Sequence, residues 1–161
     1  MNVPHDGSRS LRRDCQLGQR GQSLVEFAMV LPLLLLIVFG ITEFGRAYYQ
    51  YNTLSKAVRN GARYMSSHTY SSANITNAQN MVVYGNTAGT GTPVVPGLTA
   101  ATVVVTPTGG SGPYNEVNTP LSVTIGINSY PFNALVPSVI ALNVTFSPQA
   151  MFRYTGPNAK I

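Results

Sequence analysis

The residues able to do acid, base, nucleophilic or metal chemistry are few and unevenly placed. Asp6, Asp14, His5 and Cys15 all precede Gly21, and beyond it the Asp, Glu, His and Cys residues are only Glu26, Glu43, Glu116 and His68. A general acid–base pair, a nucleophile with its base and orienting group, or a three-ligand zinc site each needs converging residue types that the stretch from Gly21 onward lacks. No catalysis, no cofactor, no metal and no small-molecule substrate is expected. His68, in a polar stretch after a long helical segment, reads as a solvated loop histidine. Glu26 is different, because every other residue from Leu24 to Ile41 is apolar or small. These 18 residues, at ~1.5 Å rise each, nearly match a ~30 Å hydrocarbon layer. A carboxylate at mid-helix in that layer carries a penalty of roughly 2.5–3.5 kcal/mol, less near an interface, so Glu26 either finds a partner or stays hydrated at the headgroups.

The flanks of this segment set its direction. Arg9, Arg12, Arg13 and Arg20 precede it closely, whereas Arg46 alone follows closely and Lys56 comes later. The positive-inside bias therefore puts the N-terminus in the cytoplasm and the C-terminal bulk outside. An ordinary signal-peptidase site wants small residues just past a short apolar run, but Phe39 to Phe44 is bulky and acidic. Arg12-Arg13 and Cys15 lack the apolar context that a twin-arginine signal or a lipidated cysteine needs.

The chain has 161 residues and a formal charge of +5, which suggests one modest domain plus an anchor. Four of the ten basic side chains lie before Gly21. The exported part has no basic run interleaved with stacking aromatics, so nucleic acid is not an expected partner. It also has no cysteine, so it must hold together without disulfides.

Residues Met1 to Arg20 are polar, lack periodicity and read as a flexible leader. A helix is expected from Leu24, with a kink or loosened turn at Pro32, which leaves one carbonyl without its donor. Past Ile41 the pattern becomes two-faced: Ala47, Tyr51, Leu54, Val58, Gly61 and Met65 oppose Arg46, Gln50, Thr53, Lys56, Asn60 and Arg63. Unbroken to Met65, this helix would be ~63 Å long, so its outer half must cover something. A second helix is expected over Ser71 to Tyr84, capped by Ser72 or Asn74 and stopped by Gly85. Asn86 to Gly97 reads as an exposed loop. Strand signals follow at Ala101–Thr106, at Leu121–Asn128 and at Ile140–Ser147, and Gln149–Tyr154 has the composition to pair as well. The fold class is thus α+β, with a long transmembrane-plus-amphipathic helix packed on a small antiparallel sheet. Glu43 is expected as a solvated carboxylate pairing with Arg46 at one-turn spacing. Tyr48, Tyr49 and Tyr51 read as an interfacial belt.

Gly21 followed by Gln-Ser-Leu-Val-Glu-Phe resembles the type IV prepilins of tight-adherence (Tad, or Flp) pili. The longer run from Val25 to Leu34, then Phe39-Gly40-Ile41 and Glu43-Phe44-Gly45-Arg46, resembles the TadE-like pseudopilins specifically. The resemblance covers roughly Gly21 to Met65 and implies a pilin-like fold with cleavage between Gly21 and Gln22 by a prepilin peptidase. Glu26 then becomes the fifth residue of the mature chain, and Phe27 stands where the family usually has tyrosine. Glu26 and Phe27 are the implied assembly residues. The new ammonium at Gln22, about one turn away, is a partner that a carboxylate in an apolar bundle requires.

The resemblance divides the chain into a cytoplasmic leader at 1–21, a transmembrane and assembly helix at 22–43, and an exported α+β domain at 44–161. It implies a minor pilin or pseudopilin in the cytoplasmic (inner) membrane, single pass, with a further location in the pilus. Its partners are then the prepilin peptidase, other pilin and pseudopilin subunits, the Tad inner-membrane assembly machinery and membrane lipid. The rival readings are a single-pass anchored module that binds outside the cell without entering a filament, and a secreted enzyme or adhesin freed by signal peptidase.

Overall fold

The computed structural model describes residues 11–110, 112–135, 137 and 143–159. Helix α1 runs Leu11–Ser67 and α2 runs Ser72–Tyr84; a 3-10 turn at Ala100–Thr102 leads into β1 (Val103–Thr108). Four more strands follow: β2 (Ser122–Ile127), β3 (Tyr130–Pro131), β4 (Thr145–Phe146) and β5 (Gln149–Arg153). The α+β class read from the sequence is the one observed. Contacts divide the chain into two units, Met1–Thr42 and Glu43–Ile161.

The first unit contributes the early part of α1. The helix begins at Leu11, ahead of the expected start, where Leu, Arg and Gln favour helix. The first ten residues of the expected leader lie outside the described residues. The helix assignment is also continuous through Pro32, with no interruption at the expected defect. From Leu24 to Ile41 the large apolar side chains stay exposed throughout, and the helix is apolar and long enough to cross a membrane.

In the second unit, the two-faced pattern of α1 becomes its packing. Ala47, Leu54, Ala57, Val58, Ala62 and Met65 are buried in one core with Ala78, Val82 and Val83 of α2 and Val123, Ile125 and Ile127 of β2. At Gly61 α1 and α2 are in close contact: a Cβ built there would meet Val82 Cγ2 at 2.5 Å and the Ala78 carbonyl oxygen at 3.1 Å. Helix α2 is capped by Ser71, whose hydroxyl accepts from Asn74 N–H at 3.4 Å, and is stopped by Gly85 in the left-handed region. The cap is thus one residue ahead of the expected Ser72, and the glycine stop is as expected.

The sheet has the order β1-β2-β5, antiparallel throughout, with Val103 opposite Ile127 and Ser122 opposite Arg153. Strand β2 alternates as its sequence does: Val123, Ile125 and Ile127 face the core while Ser122, Thr124 and Gly126 face outward. The first β-branched run is shifted, its opening residues Ala101 and Thr102 being taken into the 3-10 turn. Asn128 donates to the Thr102 carbonyl at 2.8 Å. This fixes the even-numbered residues of β1 as those bonded to β2, leaving Pro107 on the outer side.

The expected strand over Ile140–Ser147 is the largest departure. Among its described residues Thr145–Phe146 is strand, and it pairs with Tyr130–Pro131 in a separate two-stranded ribbon. Ile140 to Leu142 lie outside the described residues. Strand β5, within the segment Gln149–Tyr154 read as able to pair, lies beside β2, anchored where Ile127 donates to the Pro148 carbonyl at 3.1 Å. The loop over 86–97 is also less free than expected, since Val94 donates to the Val83 carbonyl at 2.8 Å and Val95 is buried. The chain then closes back on α1, where Thr155 N–H donates to the Ser66 carbonyl at 2.8 Å.

Candidate functional site

Gly21, Gln22, Glu26 and Phe27 all lie on α1, all exposed. Gln22 and Glu26 are four apart, which puts them on one face of a helix. The Gln22 amide Nε2 donates to Glu26 Oε1 at 3.4 Å. The carboxylate thus reaches back toward the residue that would begin a chain cut after Gly21. Phe27 is exposed, as are the large apolar side chains that follow it.

A second polar constellation stands at the start of the Glu43–Ile161 unit. Arg46 binds Glu43 with both arms of its fork, Nη2 to Oε1 at 3.0 Å and Nε to Oε2 at 3.2 Å. Leu135 donates its backbone N–H to the same Oε1, and Arg46 Nη2 also donates to the Asn133 carbonyl. The guanidinium lies 4.8 Å from the centre of the Phe132 ring, a cation–π distance. Glu43 is only 6% exposed. Its pairing with Arg46 is as expected, but its solvation is not: the loop at 132–135 covers it. Nothing near Glu43 in sequence signals that cover.

The aromatic residues around this constellation form a linked set. Phe146 makes an edge contact with Tyr51 at 5.6 Å and packs against Phe132 at 5.9 Å and Tyr130 at 6.5 Å. Burial raises the Tyr130 pKa, opposed by the nearby Arg46 charge, and the phenol donates to the Pro96 carbonyl at 2.6 Å. At the other end of α1, burial raises the pKa of Tyr70, reinforced by Tyr114, and that of Tyr154, opposed by a backbone hydrogen bond with Tyr70. These phenols are neutral at physiological pH and serve as packing and hydrogen-bonding groups.

The geometry offers little for turnover. His68 is exposed, stacks on Tyr64 at 3.9 Å and places Nδ1 2.8 Å from the Tyr64 carbonyl. Among the described residues no group of three His, Cys, Asp or Glu side chains converges as a metal site would require. An open groove on the outer sheet face is lined by Thr106, Thr124, Asn128, Ser147 and Gln149 and holds no titratable group.

What distinguishes the chain is therefore an exposed apolar helix that carries one carboxylate near its start and leads into a packed domain. Residues 21–63 match the family of TadE-like proteins. Neither a curated protein nor a solved structure matches the chain. The TadE-like match begins at Gly21 and ends inside α1, so it covers the apolar segment and most of the amphipathic half, and stops short of α2 and the sheet. It bears out the resemblance read from the sequence over that stretch. The apolar helix also fits a single-pass membrane anchor.

Proposed function

We propose that the protein is a minor pilin or pseudopilin subunit of a Tad/Flp-type pilus. In this reading it inserts with its N-terminus in the cytoplasm, a prepilin peptidase cuts between Gly21 and Gln22, and the helix over Leu24–Ile41 packs into a filament or its initiating complex. The carrying observation is the TadE-like match that starts at Gly21 on a helix whose apolar side chains are exposed among the described residues. The adjacency of Gln22 and Glu26 supports the same reading. A carboxylate among apolar helices is tolerable when an ammonium opposes it. The new terminus at Gln22, on this subunit or the next, supplies one, and the pair selects the axial register while the apolar side chains supply contact area. Phe27, beside Glu26, joins that packing. The prepilin peptidase, other pilin subunits and the Tad assembly machinery are the corresponding partners, and the cytoplasmic membrane the corresponding location.

Intact-mass measurement of the membrane-extracted protein tests this. A chain starting at Gln22 is the expected result. A chain still starting at Met1 in a functional protein overturns it and favours an anchored module that binds outside the cell and never enters a filament.

A further inference from the structure

Six aromatic and aliphatic side chains gather where the Glu43–Ile161 unit begins. Phe44, Tyr48 and Tyr51 recur at spacings of four and three on α1, one face of a helix. With Val144 and Phe146 they line an apolar groove. Leu135 is held at the same level of α1 by its bond to Glu43. Most of this set is open: Leu135 is 73% exposed, Phe44 68% and Tyr48 63%. Such a patch on an exported domain calls for a cover.

We infer that this patch is a lipid-contacting surface, through which the exported domain rests in the headgroup region of the membrane that the apolar helix enters. The inference rests on the reading of Leu24–Ile41 as a membrane segment. Continuity carries it first. Phe44 follows Ile41 by less than one helical turn, and the interfacial layer on each side of a bilayer is about 5–7 Å deep. Tyr48 follows about 10 Å along the axis from Ile41, and because helical side chains lean toward the N-terminus its ring, an apolar body with a hydroxyl tip, reaches back toward that layer. Charge carries it second. Between Glu26 and Lys56 the only charged residues are Glu43 and Arg46, and they neutralise each other. The Leu135 N–H and the Asn133 carbonyl are satisfied by that same pair. At a depth where water is scarce, an unpaired carboxylate or backbone donor is costly. Here the carboxylate, the Leu135 N–H and the Asn133 carbonyl are matched within the protein, which lowers the cost of bringing Leu135 into the layer.

The chain has no tryptophan, so single-tryptophan variants report depth directly. Full-length protein carrying Leu135→Trp, Tyr48→Trp, Phe39→Trp or Val117→Trp is reconstituted into lipid vesicles with bromine placed near the headgroup or deep in the acyl chain. Val117 is exposed and lies in the loop that Asn158 and Tyr70 hold at the far end of α1. The expected result is loss of emission from Leu135→Trp and Tyr48→Trp with shallow bromine, from Phe39→Trp with deep bromine, and none from Val117→Trp. If Phe39→Trp is quenched while Leu135→Trp and Tyr48→Trp behave like Val117→Trp, the surface assignment falls and the membrane segment stands. If Phe39→Trp escapes quenching, the membrane segment falls and takes the surface with it. Emission from Leu135→Trp that shifts with the protein-to-lipid ratio but ignores bromine overturns the assignment in favour of a second copy as the cover.

Discussion

Leu135 donates its backbone N–H to the carboxylate of Glu43, joining residues 92 positions apart. Arg46 holds the same carboxylate from one turn along α1 and reaches the Asn133 carbonyl beside it. A loop from the far half of the chain is thereby fastened to the first turn of the packed unit by one charge-assisted network. Glu43→Ala is expected to release the loop, and amide hydrogen exchange at Leu135 should accelerate while exchange in the buried turn around Leu54 stays slow. Unchanged protection at Leu135 would show that other contacts hold the loop.

Two glycines on α1 make opposite predictions. A Cβ at Gly61 collides with Val82 and the Ala78 carbonyl, whereas one at Gly45 meets nothing within 4 Å. Replacing a helical glycine by alanine gains up to about 1 kcal/mol of propensity, and overpacking costs about 1–3 kcal/mol. Thermal melts of the full chain in detergent should therefore show Gly45→Ala raising the midpoint and Gly61→Ala lowering it. A rise for both would mean that α1 and α2 are not in the close contact described.

Alkaline pH should destabilise the packed unit through its tyrosines. Burial holds the folded phenols of Tyr70, Tyr130 and Tyr154 above their ordinary value. The unfolded chain releases those protons first, at about pH 10. The stabilisation is therefore complete below about pH 10 and is lost as pH rises through the folded values. Tyr130→Phe should flatten part of that loss, at a baseline cost of about 0.5–1.5 kcal/mol for the bond to Pro96. Melting midpoints followed across the alkaline range for both proteins check this, and identical slopes would contradict it.

Glu26→Ala bears on assembly alone. Cleavage should proceed, because Gly21 and Gln22 are untouched. Recovery in the sheared filament fraction should fall by about tenfold or more, the factor that each 1.4 kcal/mol of lost pairing gives. Immunoblots of sheared and membrane fractions measure both steps, and normal filament recovery would defeat the charge-pair proposal.

The parts of the fold that were legible in the sequence are those where one face of a regular element meets the core. Leu54, Val58 and Met65 on α1, and Val123, Ile125 and Ile127 on β2, are buried as their spacing requires. The run from Ile140 shows the limit: its alternation is as regular as that of β2, yet β5 takes the place beside β2. Period identifies a strand-forming stretch but does not say which neighbour wins the ladder. Glu43 shows the same limit for polar groups. Its spacing to Arg46 revealed the pair, while its burial depends on residues 132–135, and single-chain periodicity carries no information about contacts so distant in sequence. The Gln22–Glu26 spacing was visible from the outset, whereas what Glu26 meets outside its own chain is a matter for the assembly experiments.

Pro107 lies on the outer side of β1, opposite Val123, at a position that would otherwise offer a backbone donor to an incoming strand. A sheet bordered this way resists growth by edge-to-edge addition. Copies crowded at high expression are consequently shielded, on that flank, from stacking into cross-β aggregates.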